Sequence, residues 1–111
     1  MVENQTIHYN KLVRDKIPEI IEKDGKIATI NFAKEDNHYL TLLSKKLVEE
    51  SQEFVETLDT EELADILEVL LAILHLKKVS FAKLEQNRLK KREERGGFEK
   101  RIILLSTSES K

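Results

Sequence analysis

The sequence predicts a mainly α protein, and three observations predict it. One proline and three glycines punctuate 111 residues, too few breakers for a many-turned β fold. From Leu40 to Leu76, apolar residues recur at steps of three and four, the spacing of helix faces. Only two short stretches, Lys26–Ala33 and Arg101–Leu105, read as strands. The chain length suits one domain around one core, spanning 1–111 with a polar tail from about Ser106.

The elements follow in order. Pro18 fits the first turn of a helix, where its missing N–H does no harm. Ile20 and Ile21 continue that helix and Gly25 ends it. "KIATINFA" sets Ile27, Thr29 and Asn31 against Ala28, Ile30 and Phe32, with β-branched residues as in a strand, and needs a partner; "RIILL" is the one comparable segment, so the two would pair as a minor two-stranded element. A long helix should run from about Asp36 to Thr57. The next should start at Asp59 or Thr60 and reach about Lys78, because Asp59 with Glu62 matches a capping box. The two would be antiparallel neighbours joined by a short turn. Ser80 should cap a third long helix from Phe81 to about Arg95, stopped by Gly96-Gly97.

Composition excludes several functions. Charged residues are 36% of the chain and the hydrophobic class 40%, a soluble balance. Without cysteine there is neither a disulfide nor a thiolate metal site. A net charge of -2 gives no bulk attraction to nucleic acid or to an anionic membrane, and neither is expected as a partner. "MVENQTIHYNK" lacks the apolar core of a signal peptide. The longest apolar run, Ile66–Leu74, contains Glu68 and is too short to span a bilayer. A cytoplasmic protein is expected.

The second long helix is apolar over most of its circumference. Leu63, Ile66, Leu67, Leu70 and Leu74 form one stripe; Val69, Ile73 and Leu76 form another. Ala64, Glu68 and His75 mark its solvent face. In so short a chain the second cover is expected to be another subunit, giving a homodimer or a dimer of dimers.

One carboxylate breaks the pattern of the first long helix. Leu40, Leu43, Leu47, Glu50 and Phe54 step by 3, 4, 3 and 4, so Glu50 holds a position suited to leucine. Glu53 follows one turn on, and Glu62 and Asp65 form a second i, i+3 pair at the head of the next helix. Both pairs lie near the connecting turn and can converge. Four carboxylates in one partly buried place repel each other, and a hard divalent cation resolves that conflict. The plainer reading makes Glu53 a solvated residue, Glu62 a capping-box member and Asp65 a partner of the helix dipole. Glu50 fits that plainer reading least.

Two basic groups stand near the ends. "KLVRDK" supplies Lys11, Arg14 and Lys16; "NRLKKREER" supplies Arg88, Lys91, Arg92 and Arg95. They could be solvated cations at a helix C-terminus, or phosphate ligands, with Lys11, Arg14, Lys16, Lys91 and Arg95 the candidates. His8, His38 and His75 show no ligand spacing.

"EESQE" at Glu49–Glu53 followed by "EELAD" at Glu61–Asp65 resembles the paired acidic motif of the MazG-like all-α NTP pyrophosphatases, a superfamily that includes phosphoribosyl-ATP pyrophosphatases. "YNKLVRDKIPEII" and "RGGFEKRIIL" are similar to the signature ends of a small branch described as house-cleaning NTP pyrophosphohydrolases. The resemblance covers about Tyr9 to Leu105. It implies a helical bundle that hydrolyses nucleoside triphosphates to monophosphate and pyrophosphate, with Mg²⁺, or Mn²⁺ in its place, as cofactor. By position Glu50, Glu53, Glu62 and Asp65 would be the metal set, with Glu50 and Glu53 also catalytic. The segment between the pairs, Phe54 to Glu61, is shorter than is typical of MazG itself. The alternatives are a non-catalytic helical oligomerisation module and the same fold acting on phosphoribosyl-ATP.

Overall fold

The computed structural model describes residues 5–110 and is mainly α: four helices and, among the described residues, no strand. The chain divides into two compact units, Met1–Lys78 and Val79–Lys111.

The first unit holds α1 (Ile17–Lys23), α2 (Asp36–Thr57) and α3 (Glu61–Lys77). Pro18 lies in the first turn of α1, as its lack of an N–H requires. Gly25 adopts φ 82°; its N–H donates to the Glu22 carbonyl at 3.0 Å and the Lys26 N–H to Ile21 at 3.3 Å. That pair of bonds is the Schellman closure, and a left-handed residue at its pivot favours glycine.

α2 and α3 pack against each other as an antiparallel hairpin. The stripe expected on α2 is its inner face: Leu43 is 2% exposed and Glu50 8%, with Leu40, Leu47 and Phe54 half-buried. On α3 the stripe carrying Val69 turns inward, Val69 being 7% exposed. Leu63 and Leu67, from the other stripe, stay 45% and 46% exposed. Among the described residues Leu43 and Val69 are the buried apolar side chains, so this is a small core.

The turn between the helices uses the capping chemistry of Asp59. Its Oδ1 accepts the Glu61 N–H at 3.0 Å, satisfying a donor at the head of α3. The reciprocal half of the capping box does not form. The Asp59 N–H donates instead to Thr57 Oγ1 at 3.1 Å, so Glu62 is not a cap.

Leu58 ends α2 in the left-handed region, φ 55°, and is exposed. A side chain there costs about 1–2 kcal/mol, which glycine avoids at some cost in unfolded-state entropy. Leu58→Gly is therefore expected to stabilise the chain by about 0.5–1 kcal/mol in urea denaturation. A lower midpoint at unchanged slope would contradict it.

The second unit holds α4 (Phe81–Arg95). Ser80 caps it, Oγ accepting the Lys83 N–H at 3.1 Å. Gly96 at φ 85° stops it. Arg92 pairs with Glu99, and Arg88 with Glu85.

The two-stranded element does not form. Residues 26–33 and 101–105 carry no ladder, and Ile27, Ile30, Phe32 and Ile102–Leu105 are exposed. Alternation marks a segment able to be a strand, while a strand exists only through a partner's hydrogen bonds. No helix among the described residues is long and apolar enough to cross a membrane.

Candidate metal centre

Glu50, Glu62 and Asp65 converge where the two long helices meet near their turn. Each offers one carboxylate oxygen, and these oxygens lie within 4.8 Å of one another. The convergence follows from sequence phase. Glu50 occupies the inner stripe of α2, and Glu62 and Asp65 head the inner stripe of α3, one helical turn apart. The antiparallel turn then sets the two heads side by side.

Burial pushes the Glu50 carboxyl above its ordinary value of 4.5; the negative charges of Glu53 and Asp65 add to the rise. Lys46 opposes it, its Nζ lying 3.3 Å from Glu50 Oε1 and 3.1 Å from Glu49 Oε2. Lys46 is a site residue that the sequence reading overlooked. The signal was present, since Lys46 stands three and four residues before Glu49 and Glu50 on the same helix.

Glu53 lies outside the three-carboxylate group. Three residues beyond Glu50, which is at the edge of the inner stripe, it is rotated about 100° around the helix from the stripe's mean direction. It remains half-buried and close enough for its charge to act on Glu50.

The N-terminal basic segment runs over this region. Lys11 Nζ donates to Glu49 Oε1 at 2.9 Å, and this bond chiefly holds the Glu49 carboxyl below its ordinary value. Arg14 Nη2 donates to Asp65 Oδ1 at 2.7 Å. Lys11, Lys45, Lys46 and Glu49 line a shallow cleft between this segment and α2. Lys16 makes no ion pair among the described residues. Lys91 and Arg95 are exposed on α4 in the second unit.

The donor set suits a hard cation: three carboxylates from two rigid helices, one of them buried and costly to ionise without a counter-charge. Fold and site together define a helical hairpin bearing a convergent acidic group. No protein-family model, no curated protein and no solved structure matches the chain.

Proposed function

We propose that the chain is a Mg²⁺-dependent nucleoside triphosphate pyrophosphohydrolase of MazG-like helical architecture, converting NTP and water to NMP and pyrophosphate, in a house-cleaning role toward non-canonical nucleotides. The observation that carries this reading is the convergence of Glu50, Glu62 and Asp65 within 4.8 Å, with one of the three buried. Structural surface acids have no reason to occupy an apolar stripe, whereas ligands for a cation do.

Glu50, Glu62 and Asp65 would hold the ion, and Glu53 would complete the acidic set from the next turn of α2. When bound, Mg²⁺ supplies positive charge and Lewis acidity at the phosphate oxygens. Glu53, outside the three-carboxylate group, is the carboxylate left to take the proton of the attacking water. The water oxygen bonds to a phosphorus of the α–β linkage, and the bridging P–O bond between the α and β phosphorus atoms breaks, giving NMP and pyrophosphate. Lys11, Arg14 and Lys16 would stabilise the charge that develops on the phosphates.

The test is pyrophosphate release from a panel of NTPs, dNTPs and phosphoribosyl-ATP, with Mg²⁺ and with EDTA, beside Asp65→Asn. Release should require the ion and fall about 10³-fold in the variant, whose circular dichroism should match the wild type. Undiminished release from Asp65→Asn would overturn the site. Preference for phosphoribosyl-ATP would keep the site and change the substrate.

A second reading, a non-catalytic oligomerisation module, draws on the exposed stripe of α3, where Leu63, Leu67 and Leu71 are 40–46% exposed. It expects no Mg²⁺ binding. Under either reading a homodimer or dimer of dimers would cover that stripe.

A further inference from the structure

We infer that Arg14 is the internal counter-ion of Asp65 in the acidic group, as Lys46 is of Glu50: a positioning residue that holds Asp65 when no divalent cation is present and leaves it when one binds. The inference rests on the metal reading proposed above. Arg14 Nη2 lies 2.7 Å from Asp65 Oδ1, and Asp65 is one of the three carboxylates whose oxygens lie within 4.8 Å of one another. A guanidinium at that distance and a divalent ion on the same carboxylate repel each other. A buried lysine could yield by losing its proton. Arginine cannot, so it has to move.

The surroundings allow that movement. The Arg14 side chain is 55% exposed, and it comes from an irregular segment rather than from a helix. Two neighbours tether the segment independently of Asp65. Lys11 holds Glu49, which lies outside the three-carboxylate group, and the Arg14 carbonyl accepts the Ile17 N–H at 3.0 Å in the turn that opens α1. Arg14 can therefore release Asp65 while its segment stays attached to α2. The freed guanidinium is a planar fork suited to phosphate oxygens and remains beside the ion. One residue thus offsets the acidic charge before loading and is delivered to the substrate by loading.

The experiment is calorimetric titration of the metal-free full chain with MgCl₂, comparing wild type, Arg14→Gln and Lys16→Gln. The two variants remove the same charge from the same segment, but of these two residues only Arg14 contacts the acidic group. Arg14→Gln should bind Mg²⁺ about two- to five-fold more tightly than wild type, the range expected for release of a partly exposed ion pair. Lys16→Gln should gain less. Equal gains in the two variants, or none in Arg14→Gln, would overturn the inference and leave the metal site standing. No Mg²⁺ binding by either wild type or Arg14→Gln would overturn both.

Discussion

Glu50→Leu is expected to stabilise the chain by about 1–2 kcal/mol, roughly 4–8 °C in Tm, while abolishing Mg²⁺-dependent pyrophosphate release. The stabilisation follows from position. Glu50 is 8% exposed on a stripe with Leu43 and Leu47, and burial raises its carboxyl above 4.5. A leucine meets the same neighbours without the cost of holding a charge there. Lys46 loses Glu50 and keeps Glu49 at 3.1 Å, so the substitution strands no buried cation. The pH dependence has a definite sign. A carboxyl whose folded pKa is raised is ionised first in the unfolded chain, so wild type loses stability as pH rises from about 4.5 through the folded value. The advantage of Glu50→Leu should be larger at pH 7 than at pH 4. Glu49 has the opposite sign, since Lys11 holds its carboxyl down; its contribution is present above 4.5 and lost as pH falls through its lowered folded value. Glu49 is present in both proteins and is coupled to position 50 through the shared Lys46. Thermal melts of the pair at pH 7 and pH 4 measure this directly. An advantage that persists on acidification would show that ionisation is not what burial opposes. Activity surviving in Glu50→Leu would remove Glu50 from the site.

Local signals in the sequence located the helices well. Asp36–Thr57 and Phe81–Arg95 fall where periodicity, the Ser80 hydroxyl and Gly96 place them. Gly25 closes α1 because its requirement for positive φ is written into its residue type. The candidate centre was legible for a similar reason: Glu50 breaks an apolar phase, and a short turn after Thr57 leaves little freedom in where α3 begins. What local signals do not carry is partnership. The left-handed end of α2 falls on Leu58, a residue with no preference for that conformation, because the turn into Asp59 requires it. Arg14 and Asp65 meet across 51 residues, a pairing chosen by tertiary packing and invisible to charge counting along "KLVRDK". The strand expectation failed on the same ground, since residues 26–33 have β-like alternation and no ladder partner.

Leu43→Ala should cost about 2–5 kcal/mol, the range for emptying a buried leucine site. Leu43 is the most buried side chain, 2% exposed, and shares the apolar core with Val69 among the described residues. Against a total stability of about 5–15 kcal/mol for a domain, such a loss is a large fraction of the whole. Val48→Ala is the matched control. Val48 lies on the same helix, 68% exposed, and its truncation should cost less than about 0.5 kcal/mol. Equal costs in urea denaturation would mean that the inner face of α2 has been misassigned. The same variant links stability to the candidate centre. Glu50 lies seven residues beyond Leu43 on one stripe, so the hairpin that Leu43 holds is also what brings Glu50 to Glu62 and Asp65. An ion bound only by the folded hairpin restores stability by mass action, about 2.7 kcal/mol at a hundredfold excess over its Kd. Mg²⁺ should therefore rescue Leu43→Ala and fail to rescue Leu43→Ala combined with Asp65→Asn. Equal rescue of both would place the ion elsewhere, because the double variant lacks one of the two carboxylates that α3 brings to the group.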